Sequence, residues 1–212
     1  LSDSALIHHK GNLVHNGLGG LDTSYTGKGV VIGIVDQGID YNHPDFQNPD
    51  GSTRVLRYWD HTVNDSNHPN YYELYEKGIV WDSAAINNGT CTSLEVSSAH
   101  GSTVSGMAAS NGLANGTNKG FAPEADLIVV ESDFSQDLYN WKLSIADACD
   151  YIFKVADSLN KPAVINLSLG DYYGTHDATD PAAELINSLL DEKEGRIVVS
   201  AAGNSGDYGP YH

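Results

Sequence analysis

Basic residues are scarce in this sequence, and their scarcity argues against several classes of partner. The 212 residues include 11 Lys and Arg against 28 Asp and Glu, for a formal net charge of −17. Such a chain repels phosphate groups, so we expect no binding to nucleic acid or to an anionic membrane surface. The sequence also lacks any run of 18 consecutive apolar residues, and we therefore expect no membrane-spanning helix.

Cysteine is equally rare, and this excludes a disulfide-based fold. The two cysteines, Cys91 and Cys149, are too few for a disulfide framework. Cys149 falls within a helical pattern, which favours a small buried apolar residue over a Cys91–Cys149 bridge. The rest of the composition, 40% hydrophobic and 18% charged, is typical of one folded domain or most of one.

Four short apolar runs rich in β-branched residues predict strands that are buried on both faces of a parallel sheet. They cover residues 30–35, 126–130, 163–167 and 196–200. Helical patterns lie between them: a helix beginning near His100, an amphipathic stripe from Trp141 to Leu159, and a helix over 181–194 with Asp180 as its N-cap. This alternation predicts an α/β fold with three layers, in which helices cover both faces of a mostly parallel β-sheet.

The stretch of about 47–97 interrupts this alternation. It contains turn sequences such as Asn48-Pro49-Asp50-Gly51, together with many tyrosines. We interpret it as a long surface insertion with short local structure around 54–59.

Polar residues follow three of the predicted strands. Asp36, the segment 168–170 and Asn204 would all lie at carboxyl ends, where sites form in open α/β sheets. His100 precedes a predicted helix. Each residue alone has a structural explanation: Asp36 or Asn204 as a turn residue, and His100 as one of nine surface or core histidines.

Five segments resemble, in family order, the signature motifs of the subtilases, the subtilisin-like serine proteases. The aspartate motif corresponds to 31–40 and is followed by His43-Pro44-Asp45-Phe46; the histidine motif corresponds to 99–106. The other three correspond to 120–125, 164–170 and 197–204. Two departures, Gln37 after the aspartate and Ser102-Thr103 after His100-Gly101, leave the motif's catalytic residues in place.

The resemblance implies a serine endopeptidase that hydrolyses a peptide or protein substrate. In this interpretation Asp36 orients His100, His100 is the general base, and Asn204 donates to the oxyanion. Ser168, Leu169 and Gly170 would pair with the substrate backbone, while Ala201, Ala202 and Gly203 would form part of the pocket before the scissile bond.

The nucleophile motif Gly-Thr-Ser-Met-Ala does not occur in the 212 residues. We therefore expect residues 1–212 to be the N-terminal portion of a truncated subtilisin-like domain, with the catalytic serine and the rest of the domain beyond 212. The fragment alone should be inactive. The main alternative is a subtilase-like pseudoprotease that binds without cutting; a nucleotide-binding domain lacks its phosphate motifs here.

The resemblance also suggests a setting and a metal. We expect a secreted or cell-surface protein of bacterial origin, and chemistry that requires no cofactor. Asp45 matches a position that binds calcium in many members of the family, so a structural calcium ion there is a further expectation.

Overall fold

The computed structural model describes residues 2–95 and 98–207, and its centre is a six-stranded sheet. The strand order is β3-β2-β4-β1-β5-β6, and all neighbours are parallel except the antiparallel pair β2–β3. The strands are β1 (Val31–Asp36), β2 (Val55–Asp60), β3 (Ile79–Asp82), β4 (Asp126–Glu131), β5 (Ala163–Leu167) and β6 (Arg196–Ser200).

Helices cover both faces of this sheet. They are α1 (Ser2–His8), α2 (Gly11–His15), α3 (Ser83–Asn87), α4 (His100–Ala109), α5 (Leu138–Ser158) and α6 (Pro181–Asp191), with a 3₁₀ turn at Pro44–Phe46. Among helices in the described part of the chain, none combines the length and apolar character needed to cross a bilayer.

The four predicted strands and the α/β class are confirmed. The side chains of β1 alternate between two hydrophobic clusters, one on each face of the sheet. Val31 and Val35 pack with α5 in one apolar cluster, whereas Ile32 and Ile34 pack in a second cluster on the opposite face. Successive side chains of a strand point to opposite faces. Asp36 therefore lies on the Ile34 side, the face that α4 also contacts.

The prediction of a surface insertion at 47–97 is wrong for its middle part, while residues 96 and 97 lie outside the described residues. β2 is an interior strand that pairs with β4, and β3 adds an antiparallel edge. Val55, Tyr58 and Trp59 are fully buried. Arg54, directly before β2, and Arg57, within it, interrupt the apolar run in the sequence. A continuous apolar run is the pattern that identifies a buried parallel strand, so the sequence did not indicate β2 as one.

One of these arginines, Arg54, is itself interior. Its guanidinium donates to the carbonyl oxygens of Asp45, Ala109 and Ala125 at 2.7–2.9 Å. Arg54 is 5% exposed, so these bonds satisfy carbonyls that water does not reach. The side chain thereby links the start of β2 to the end of α4 and the start of β4.

The opposite edge of the sheet, β6, is open. Ile197 and Val199 are 53% and 51% exposed. Parallel strands are normally covered on both faces, so among residues 2–95 and 98–207 β6 presents an uncovered apolar face and an unpaired edge.

Both cysteines are free, and Cys149 is buried in the α5 core. The prediction of a small buried apolar residue at 149 is therefore confirmed.

Candidate functional site

Asp36 and His100 meet at the carboxyl edge of the sheet. The Nδ1 atom of His100 lies 2.7 Å from Oδ1 of Asp36, although 64 positions separate the two residues. Asp36 is 1% exposed, whereas the His100 side chain is 53% exposed. Since a carboxylate only accepts hydrogen bonds, Nδ1 carries the hydrogen and Nε2 is left as the acceptor. The arrangement therefore provides an oriented imidazole base on the open side of a buried carboxylate.

Close contact between α4 and the loop after β1 produces this meeting. A Cβ atom on Gly101 would overlap the carbonyl oxygen of Gly38, so only glycine permits the approach. Gly38 itself has a φ of 92°, a conformation that side chains disfavour. The backbone N–H of Asp40 donates to Oγ of Ser102 at 2.8 Å and fastens the loop to the helix.

The N-terminus of α4 is capped by Glu95. Its Oε1 accepts from the backbone N–H of Gly101 at 2.8 Å, and its Oε2 accepts from that of Ser102 at 3.1 Å. The residue at the cap position, Ala99, makes no side-chain cap. A carboxylate from the preceding segment therefore satisfies two amides in the turn that carries His100.

A cavity of about 330 Å³ opens beside the Asp36–His100 pair. Phe134 and Trp141 form one wall and residues 168–170 form another. The indole N–H of Trp141 donates to Oγ of Ser132, whose backbone N–H donates to the carbonyl of Asp36. The aromatic wall is thus fastened to the strand end that carries the buried carboxylate.

A second cavity of about 310 Å³ shares residues 168–170 with the first. Its other lining residues are Tyr172 and the segment from Ala201 through Asn204 to Ser205. Asn204 is exposed in the loop after β6. The backbone N–H of Ser205 donates to the Tyr172 hydroxyl at 3.0 Å, which connects this loop to the segment after β5. Every sequence-predicted substrate residue therefore lines one of two adjoining cavities.

Glu131 is an acidic neighbour that the sequence did not single out. It pairs with Asp36 in the β1–β4 register and accepts a 2.7 Å hydrogen bond from the Tyr58 hydroxyl. Burial raises the pKa of Glu131 to about 7, with a contribution from nearby Asp60 and Glu95. Glu131 thus changes charge near neutral pH at the strand end where Asp36 lies.

Asp45, the predicted calcium ligand, lies apart from this pair. Its Oδ1 accepts from the backbone N–H of Ala114 at 2.8 Å. Calcium requires six to eight oxygen ligands, and no group of three acidic, histidine or cysteine residues suited to a metal occurs in the described residues. Backbone carbonyl and side-chain amide oxygens also serve as calcium ligands, so calcium at Asp45 stays a prediction.

Sequence reasoning missed Glu95, Phe134 and Trp141. An acidic residue shortly before the histidine motif is a usable signal for a helix cap, because Ala99 cannot cap α4. The aromatic wall has no such signal: Trp141 falls on the buried stripe of α5, and only the tertiary structure shows that it also borders the cavity.

The chain is similar to known proteins over most of its length. The model of the Subtilase family matches residues 27–211. The PII-type proteinase of Lacticaseibacillus paracasei is 29% identical over 191 residues, which cover 87% of this chain and 10% of that protein. Minor extracellular protease Vpr of Bacillus subtilis (strain 168) is 31% identical over 192 residues, covering 89% and 19% respectively.

Solved structures agree with this similarity. The CspB protease of Clostridium perfringens has a TM-score of 0.71 and 25% identity, covering 86% of this chain and 37% of that one. The S41 psychrophilic protease has a TM-score of 0.55 and 28% identity, with coverages of 92% and 52%. The chain thus spans about a tenth to a fifth of the curated relatives named here and about a third to a half of these two structures.

Proposed function

Because the chain belongs to the subtilase family, we propose that the protein carrying it is a serine endopeptidase that cleaves peptide bonds in proteins or peptides. The observation that carries the proposal is the 2.7 Å contact between Nδ1 of His100 and Oδ1 of buried Asp36. A serine hydroxyl becomes an effective nucleophile only when an adjacent base accepts its proton. The exposed Nε2 of His100 is suited to that task.

Asp36 keeps His100 in the tautomer that frees Nε2. It also stabilises the imidazolium that forms when the proton is taken up. His100 then returns the proton to the leaving amine. The backbone N–H of Gln37 donates to the same Oδ1 at 2.8 Å and holds the carboxylate in place.

In this proposal the nucleophilic serine comes from sequence outside these 212 residues, because no Gly-Thr-Ser occurs within them. Asn204 donates its side-chain amide to the oxyanion, a donor whose loss typically lowers kcat by about 10²–10³. Residues 168–170, at the shared wall of the two cavities, align the substrate backbone, and the Ala201–Gly203 side of the second cavity receives the side chain before the scissile bond.

The proposal includes a setting outside the cell. One relative, Minor extracellular protease Vpr, carries that location in its name, and the acidic surface of this chain suits an exported soluble domain. No cofactor takes part in the proposed chemistry. Calcium at Asp45 stays a prediction.

The decisive experiment uses the full-length protein with a fluorogenic peptide and a serine-directed fluorophosphonate probe. We expect hydrolysis and stoichiometric labelling, both abolished by His100→Ala. Asp36→Asn should lower kcat by about 10⁴ through the wrong tautomer, as in other Ser-His-Asp triads. Folded full-length protein that neither cleaves nor labels would refute the proposal and favour the pseudoprotease.

A further inference from the structure

We propose that Glu95 is a positioning residue for His100, acting through the backbone of the first turn of α4. The inference rests on the proposed function, because it assigns a part in the same reaction. Glu95 itself makes no hydrogen bond to His100, the candidate base, among the bonds of the described residues. Its two carboxylate oxygens instead hold the amides of Gly101 and Ser102, the two residues that follow His100.

The first turn of a helix has no intrahelical partners for its N–H groups, so it moves unless something holds it. His100 is the first residue of α4, and its side chain is half exposed, so packing around the imidazole contributes little restraint. Ala99 provides no side-chain cap, and the N–H of His100 itself donates to Oγ of Ser98 at 3.0 Å. Glu95 therefore holds the next two amides, those of Gly101 and Ser102. For the backbone of this turn, the Glu95 carboxylate accepts two charge-assisted hydrogen bonds, the stronger kind.

Glu95 is one of several residues whose contacts restrain the first turn of α4. Oγ of Ser102 accepts a hydrogen bond from the backbone N–H of Asp40 in the loop after β1, and Gly101 lies against the carbonyl of Gly38 in the same loop. These contacts set how close α4 comes to the loop after β1. The two hydrogen bonds that Glu95 accepts set the rotation of α4 and its position along the helix axis. Together they determine whether Nδ1 of His100 reaches Oδ1 of Asp36.

Kinetics of Glu95 variants in the full-length protein test this assignment. We expect Glu95→Ala to lower kcat by about 10- to 100-fold, the cost of a displaced catalytic group, with KM unchanged. The rate is normalised to active sites titrated with the fluorophosphonate probe, so that a loss of folded protein does not count. Glu95→Gln keeps one good acceptor and should be intermediate, and it keeps the test usable if the alanine variant does not fold.

Asp180→Ala is the matched control. Oδ1 of Asp180 accepts from the backbone N–H groups of Ala182 and Ala183 at the start of α6, so the variant also removes two amide caps. It should lower the unfolding midpoint as Glu95→Ala does but leave the normalised kcat unchanged. Equal normalised kcat in Glu95→Ala, Asp180→Ala and wild type would overturn the positioning role.

A spectroscopic readout separates failure of this inference from failure of the proposed function. The proton NMR signal of the Nδ1–H of His100, observed in selectively labelled protein, reports the bond to Asp36 without any turnover. We expect this signal to shift or broaden in Glu95→Gln and to stay in place in Asp180→Ala. If the wild type is catalytically silent, the proposed function fails, but a changed signal still supports the role of Glu95 and an unchanged one refutes it.

Discussion

His61 should make the stability of this fold depend on pH in a defined direction. It is 2% exposed, and neither ring nitrogen has a hydrogen-bond partner among the described residues. Its ring lies 4.1 Å from that of Trp59 in an edge-to-face contact. Burial lowers the pKa of His61 to about 3, with an added contribution from the positive charge of Lys77.

The direction of this pH dependence follows from the number of protons that the folded and unfolded states bind. The folded state binds the His61 proton only near pH 3, whereas the unfolded chain binds it near pH 6.5. The unfolded state therefore holds more protons between these values, and stability falls as pH falls below 6.5. The loss is about 1.4 kcal/mol per pH unit, which amounts to about 2 kcal/mol between pH 7 and pH 5.

Glu131 acts in the opposite direction over part of this range. Its folded pKa of about 7 is above the ordinary value of 4.5, so the folded state holds the proton longer than the unfolded chain. Protonation of Glu131 therefore adds stability as pH falls from 7 toward 4.5. The wild-type curve should be flatter than His61 alone would make it, and the contribution of His61 must be isolated by difference.

The assay is urea unfolding of the full-length protein, followed by tryptophan fluorescence at several pH values between 5 and 7. His61→Phe removes the titrating group, so the free energy of unfolding of wild type minus variant should decline by about 2 kcal/mol from pH 7 to pH 5. Tyr151→Phe, which alters another ring packed against Trp59, should change stability equally at all these pH values. A flat difference curve for His61→Phe would refute the reasoning.

Three further predictions concern the site and the core. Gly101→Ala should lower kcat severely, because its Cβ pushes α4 away from Gly38; unchanged probe-normalised kinetics would contradict the contact. Arg54→Met should lower the free energy of unfolding by about 3 kcal/mol in urea titrations, since buried carbonyls lose their donor; a loss under about 1 kcal/mol would show that they find other partners. The 212-residue chain alone should neither hydrolyse peptides nor label with fluorophosphonate, and it should self-associate in sedimentation experiments through the exposed Ile197 and Val199 of β6. Labelling of this chain at a defined serine would overturn the first part of that expectation.

The sequence by itself determined most of the sheet and the family to which the chain belongs. Continuous apolar runs identify β1, β4, β5 and β6, because parallel strands inside a sheet carry few polar residues; the burial that the run 196–200 predicts on both faces is absent among the described residues, where Ile197 and Val199 are exposed. The three- and four-residue spacing of apolar positions identifies α5 for a similar reason. The motifs around Asp36 and His100 identify a family, since residue types in a fixed order carry that information without coordinates.

Only the tertiary structure decided where segments with mixed patterns lie. β2 is an interior strand although Arg54 directly precedes it, because the buried guanidinium finds three carbonyl acceptors, and no pattern in a single strand reveals partners so distant in sequence. The same limitation applies to His61. An imidazole whose ring nitrogens have no hydrogen-bond partner among the described residues is a consequence of how the chain packs, and local sequence does not encode it.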